Sequence, residues 1–146
     1  MAIGEQELAV VLQASIEHAQ ELLGAQGGFL PFGARAWPDG SVEMVEATGG
    51  GGEPLDVLYR RIGEVLAENA AASEILASTL VANASLPEGA DPGFTTAVSV
   101  LIEAPGFCRS IVVPYRFAGP AGNGVRGEIE FGQLIPEGAD PVVFTG

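Results

Sequence analysis

The sequence predicts an α+β fold of two layers, with two helices packed on one face of an antiparallel sheet. Two segments repeat apolar residues at three- and four-residue steps, as amphipathic helices do. Two segments rich in β-branched and aromatic residues flank Pro105-Gly106, which is typical of a hairpin. Residues 125–134 alternate apolar and charged side chains, as a strand with one wet face does. The predicted order is α-β-β-α-β-β-β-β, in a single domain spanning residues 1–146.

The first helix is predicted over residues 5–23, and Gly24 is its expected end. Its apolar stripe consists of Leu8, Val11, Leu12, Ile16, Ala19, Leu22 and Leu23. The segments 29–37 and 41–47 then form a hairpin, because Pro38-Asp39-Gly40 between them is a strong turn signal.

The second helix is predicted to begin at Pro54, after a glycine-rich connector at residues 48–52. Its buried stripe consists of Leu55, Leu58, Tyr59, Ile62, Val65 and Leu66. Two positions are possible for the C-terminal end of this helix. It ends near Ala71, with a strand following over residues 75–86, or it continues to about Ala77. The first alternative is preferred, since a longer helix would place Ile75 on the polar face.

The central hairpin spans residues 94–117, and one more strand is predicted over 125–134. The hexapeptide P-E-G-A-D-P occurs twice, at residues 87–92 and 136–141. We interpret both copies as a reused loop, because one short match does not specify a structural repeat.

The charge of the chain excludes several classes of function. It has six arginine or lysine residues against 19 acids, a net charge of −13. Nucleic-acid binding and docking to anionic membranes both require basic surfaces, so we expect neither. No apolar run approaches the roughly 18 residues of a membrane-spanning helix. The acidic N-terminal stretch does not resemble a signal peptide, and we expect a cytoplasmic location.

The residues for catalysis or metal binding are few. His18 is the only histidine and Cys108 the only cysteine, and no motif links them. Glu128 and Glu130, with Glu103 nearby, could offer carboxylate ligands, but a solvated acidic face explains them better. The sequence therefore predicts no catalytic residue, no metal site and no cofactor, and hence a protein that is not an enzyme.

Arginine and aromatic residues supply the one candidate binding site. Arg35 and Trp37 share a face of the first hairpin, and Tyr115 and Arg116 end the central one. If the two hairpins adjoin, these four residues would line a pocket for a small anion or ligand.

The function that the sequence favours is a non-catalytic binding module that forms a homodimer. Apolar residues occupy both alternating faces of the central hairpin, more than one helical layer needs to cover. Two alternatives remain: a small-ligand or anion sensor using the arginine and aromatic residues, and an immunity-type protein that binds a basic partner.

The first hairpin also carries a resemblance. The stretch F-L-P-F-G-A-R-A-W-P-D-G-S-V, together with a late E-F-G-Q-L, resembles a group of small uncharacterised bacterial proteins. That group has an F-x-P-F-G first strand followed by a D-G turn. The resemblance covers the first hairpin and the last strand, and it implies a bacterial cytoplasmic source but no activity.

Overall fold

The computed structural model of the protein describes residues 5–26, 29–46, 54–86, 94, 96–118 and 128–144. Its elements in chain order are α1 (Glu5–Gln26), β1 (Phe32–Ala36), β2 (Val42–Glu46), α2 (Leu55–Ala71), β3 (Ala77–Ser85), β4 (Thr96–Ala104), β5 (Phe107–Ala118), β6 (Glu128–Phe131) and β7 (Ile135–Gly138). The predicted α+β class and antiparallel sheet are confirmed. The predicted order lacks the last strand, β7.

All seven strands of the described chain belong to one sheet with the order β2-β1-β3-β4-β5-β6, and β7 also pairs with β5. Both β2 and β3 pair antiparallel with β1, so they run parallel to each other on either side of it. The connection between them is α2, since parallel strands need a long crossover. As a result β2 forms one edge of the sheet, while β6 and β7 share the other.

The edge formed by β6 and β7 contains a β-bulge. Tyr115 of β5 pairs with Phe131, and Val112 pairs with Ile135. Two residues of β5 therefore face three residues of the edge, 132–134. The Gly132 N–H donates to the Pro114 carbonyl at 2.7 Å. One extra residue in a strand is a bulge, which bends and twists the edge away from regular pairing.

The two helices lie on opposite faces of the sheet. Phe32 of β1 is buried against Ala19 and Leu23 of α1. At the next residue, Gly33, a Cβ atom would lie 3.0 Å from side-chain atoms of both Ile62 and Leu66 of α2. Successive residues of a strand point to opposite faces, so α1 and α2 cover different sides. The expectation of two layers with both helices on one face is therefore wrong, and the sheet is the middle of three layers.

This arrangement explains the apolar residues on both faces of the central strands. Leu80 and Val81 are neighbours in β3, and both are buried, facing α2 and α1 respectively. A strand covered on both sides needs apolar residues at consecutive positions rather than at alternate ones. The sequence showed an apolar stripe on each helix, but a stripe does not say which face of a sheet it covers.

The end of α2 is confirmed at Ala71, and the alternative end near Ala77 is wrong. Ser73 adopts a φ of 58°, in the left-handed region that interrupts a helix. The Leu76 N–H then donates to the Ala36 carbonyl at 2.8 Å, which starts the pairing of β3 with β1. Ile75 is buried beside α2, whereas a continued helix would have placed it on the polar face.

The central hairpin is confirmed as β4 and β5, with Gly106 at a φ of 75° in the turn. Predicted strand 125–134 corresponds to the shorter β6. The second P-E-G-A-D-P copy is not only a loop, because its first three residues belong to β7. The first copy, and the connector at residues 48–52, lie outside the described residues.

Candidate functional site

The structure separates the four residues of the predicted anion pocket. In the register of the sheet, Arg35 lies opposite Ser78 of β3. Ser78 lies opposite Glu103 of β4, and Glu103 lies opposite Cys108 of β5, so β3 and β4 lie between β1 and β5. Three strand spacings amount to about 14 Å. Arg116 is a further eight residues along β5, or about 26 Å. The first hairpin does not adjoin β5, and the four residues do not line a common pocket.

Arg35 instead joins the first hairpin to α2. Its guanidinium donates to the Glu43 carboxylate on β2 and, at 2.8 Å, to the Asn69 side chain on α2. It also lies over the Trp37 ring, 4.9 Å from the centroid. Asn69 in turn donates to Glu74 beyond the end of the helix. An external anion would have to displace Glu43 from Arg35.

Arg116 and Tyr115 have separate surroundings because they are consecutive in β5 and point to opposite faces. Arg116 donates to the Glu130 carboxylate on β6 at 2.9 Å and lies over the Phe94 ring. Tyr115 is buried in the core beneath α1, and its hydroxyl donates to the Asn83 side chain at 2.7 Å. Tyr115 is therefore a core residue.

His18 and Cys108 also lie on opposite faces of the sheet. His18, on α1, packs edge-on against Phe32, and its Nε2 lies 3.3 Å from the Glu46 carboxylate without forming a hydrogen bond. Cys108 is in register with Glu103, on the face that α2 covers. The imidazole cannot act as a base for the thiol, so no cysteine–histidine nucleophile exists.

The surroundings of Cys108 make its thiol a poor nucleophile. Burial raises the pKa of this thiol, and the carboxylates of Glu103 and Asp140 raise it further, against a smaller opposite effect of Arg109. The thiol is thus protonated at neutral pH, whereas the thiolate is the reactive form. The same region raises the pKa of the Tyr59 phenol, chiefly through burial and then through Glu103.

Glu103 is the most unusual side chain in the described part of the chain, since its carboxylate is fully buried. Both of its oxygens accept hydrogen bonds from the backbone N–H groups of Val142 and Val143, and one accepts from Phe144, at 3.1–3.2 Å. We call residues 139–144 the strap. The strap follows β7 and crosses the α2 face of the sheet, and Glu103 fixes it there.

The strap also contributes to the core. Val143 is buried in the same cluster as Ile62, Leu66 and Leu80. A cleft of about 410 Å³ lies beside it, lined by Ala67, Ala70, Ala71, Pro105, Gly106, Val143 and Phe144. These lining residues include no side chain that ionises or donates a hydrogen bond, so the cleft offers a ligand little to recognise.

The sequence missed the role of Glu103. The interpretation of Glu103, Glu128 and Glu130 as a solvated acidic face is wrong for Glu103. One signal was available, because Glu103 lies between Ile102 and Ala104 and is the one charged residue of β4. Its partners are backbone groups, however, and backbone groups leave no trace in a sequence.

Among the described residues, the backbone groups on the outer edge of β2 have no partner. The Trp37 N–H donates to the Ser41 carbonyl, so the odd-numbered residues of β2 turn their backbone groups toward β1. Val42, Met44 and Glu46 therefore turn their N–H and C=O groups away from the sheet. No strand of the described chain pairs with this edge.

The edge at β7 is protected in three ways. The Pro114 carbonyl points toward β6, so the even-numbered residues of β5 pair with this edge, and Pro136 and Gly138 of β7 face outward. Pro136 has no N–H to offer a neighbouring strand. The bulge at residues 132–134 and the acids Glu130 and Glu137 add to the protection.

Groups of side chains that could hold a metal ion were not found among the described residues. Neither helix of the described chain is both long and apolar enough to cross a membrane. Comparisons of the chain with family models, with curated proteins and with solved structures found no match. The resemblance to small bacterial proteins stays a prediction.

Proposed function

We propose that this protein is a non-catalytic binding module that associates with a second copy of itself through the outer edge of β2. The observation that supports this proposal is the outer edge of β2, which no strand of the described chain pairs with. Val42, Met44 and Glu46 present three N–H and three C=O groups in an unbroken strand without proline. Such an edge is a template for pairing with another chain.

The apolar surplus of the central hairpin no longer supports a homodimer. Val98, Val100 and Ile102 are buried on the α1 face, and Leu101 packs with the cluster formed by α2 and Val143. Two helical layers and the strap account for these side chains within one chain. The support for self-association therefore comes from the edge alone.

The chemistry of the described residues supports a binding role. Cys108 is protonated and lies apart from His18, and Arg35 is already bound to Glu43 and Asn69. These contacts favour a module that binds through its backbone edge over a sensor of anions. A bacterial, cytoplasmic setting belongs to the same proposal, and it fits the free thiol of Cys108.

Salt distinguishes self-association from binding of a basic partner. Two copies with a net charge of −13 repel each other, so screening by salt should tighten their association. Binding of a cationic protein should weaken under the same change. The direction of the salt dependence thus separates the homodimer from the immunity-type alternative.

Sedimentation equilibrium over a range of protein and sodium chloride concentrations tests the proposal. We expect a reversible monomer–dimer equilibrium whose dissociation constant falls as salt rises. The variant E46Q, on the β2 edge, should tighten the dimer more than E137Q on β7, although each removes one charge. A 14.9 kDa monomer under all conditions would overturn the proposal.

A further inference from the structure

We infer that the partner strand is β2 of the second copy, paired antiparallel in the register in which Met44 faces Met44 of the other chain. This inference rests on the proposed function and names the contact through which it works. The two copies would be related by a two-fold axis through Met44, perpendicular to the sheet. Two sheets of seven strands would then join into one.

The direction of the backbone groups restricts the register. Only the even-numbered residues of β2 turn their N–H and C=O groups outward. In a symmetric antiparallel pair they must face even-numbered residues of the other copy, because the residues that exchange hydrogen bonds lie opposite each other. Within β2, the centre of such a pair can be residue 43, 44 or 45.

The number of hydrogen bonds favours the central register. With Met44 at the centre, Val42 faces Glu46 of the other copy, and all five residues of β2 are paired. Each of the three outward-facing residues then donates one hydrogen bond and accepts another, which gives six between the chains. A centre at residue 43 or 45 leaves one end of β2 beyond the pair and gives four within β2.

The charges disfavour one of the two alternative registers, the one centred at residue 43. A centre at Glu43 places two Glu43 carboxylates directly opposite each other, which is destabilising. With Met44 at the centre, each acid faces an apolar residue: Glu43 faces Val45, and Glu46 faces Val42. The two Glu43 residues become diagonal neighbours, but each is bound to Arg35 of its own chain.

The side chains of this register continue the existing core. Met44 and Val42 are half-buried against the clusters beneath α1. A two-fold axis perpendicular to the sheet keeps both α1 helices on one side, so Met44 of each copy meets apolar surface. Methionine suits a contact with its own copy because its flexible side chain adapts to irregular gaps.

Disulfide formation between single-cysteine variants reads this register directly. The experiment uses the full chain in a C108S background, with V42C, E43C, M44C, V45C or E46C, in a glutathione redox buffer. Facing residues that exchange hydrogen bonds have Cα atoms about 5.5 Å apart, within the range of a disulfide. Residue 42 of one copy lies four residues, or about 13 Å along the strand, from residue 42 of the other.

We expect M44C alone to crosslink to a covalent dimer, with V42C and E46C inert alone but crosslinked when mixed. The mixture keeps the test valid if M44C does not fold. Crosslinking that is fastest for E43C or V45C, or absent throughout in a protein that sediments as a dimer, would overturn this register and leave the proposed function standing. A protein that sediments as a monomer would overturn both.

Discussion

The two edges of the sheet are built from strands of similar length, but they differ in how they end it. At β2 the outward residues Val42, Met44 and Glu46 form an unbroken run with all their backbone groups. At β7 the outward residues are Pro136 and Gly138, next to a bulge. Proteins protect edges with proline, bulges and charge because a free edge recruits other strands. The edge at β7 has this protection, and the edge at β2 mainly lacks it.

The two edges also have one side-chain arrangement in common. Each has an arginine that binds a glutamate on the outermost strand and lies over an aromatic ring: Arg35 with Glu43 and Trp37, and Arg116 with Glu130 and Phe94. The arginine at β2 also reaches α2 through Asn69. Cross-strand charge pairs are thus common to both edges, so what distinguishes β2 from β7 is access to the backbone.

The largest effect is expected at the strap, which continues from the protected edge. The variant E103A removes the acceptor for three backbone N–H groups, of which Val143 is buried. Buried donors without partners are costly, so we expect the free energy of unfolding to fall by about 3 kcal/mol or more. E103Q keeps one acceptor oxygen and should lose less. Urea denaturation measures both.

The matched control for Glu103 is E137A, because Glu137 is an exposed acid on β7 itself. It should unfold like the parent chain. Limited proteolysis adds a second readout, since a released strap becomes a substrate before the rest of the protein unfolds. An E103A chain as stable and as protease-resistant as the parent would show that Glu103 does not fix the strap.

A proline at the free edge should convert it to the protected kind. The variant M44P removes an outward N–H without removing a hydrogen bond to β1. The symmetric pair loses one such bond on each side of the axis, so we expect the dissociation constant of the dimer to rise at least about tenfold. Sedimentation of M44P beside M44T, which keeps the N–H, measures the effect.

M44P that dimerises as well as M44T would place self-association elsewhere than the β2 edge. Thermal unfolding of the two variants at a concentration where both are monomers controls for damage to β1 pairing. We expect their midpoints to be close, because a proline whose missing donor faces solvent is tolerated on an edge strand.

Loss of the more buried arginine should destabilise the protein more than loss of the exposed one. The Arg35 side chain is 22% exposed and the Arg116 side chain 49%. We expect R35A to lower the free energy of unfolding by about 1–2 kcal/mol and R116A by less than about 1 kcal/mol, since ion pairs weaken with exposure. Denaturant titration of both, with R35A/E43A as a double-mutant cycle, checks this ranking, and equal losses would contradict it.

Local patterns predicted the individual elements well. The helical phase placed the end of α2 at Ala71, and Pro105-Gly106 placed the central hairpin. Both depend on residues that are close in the chain, such as the periodicity before Ile75. The strand β7 was missed because four residues containing proline and glycine do not show the alternation of a strand.

Long-range features could not be predicted in the same way. The sequence showed no reason for Arg35 and Arg116 to be separated by two strands, because that depends on β3 entering the sheet beside β1. The opposite placement of the helices has the same origin. The free edge of β2 follows from this order too, since a strand is an edge only when nothing else pairs with it.

The smallest expected effect is the change in association caused by removing Pro136, one of the features that protect the β7 edge. The variant P136T restores the missing outward N–H but leaves the bulge at residues 132–134 and the acid Glu137 in place. In the M44P background association through the β2 edge is weakened, so a gain on adding P136T would report pairing at the β7 edge. We expect P136T to change that association less than about twofold, because a bulged edge twists away from regular pairing. Sedimentation of M44P/P136T beside M44P measures it. A strong new dimer would mean that Pro136 alone guards this edge, and that the two edges differ by a single donor.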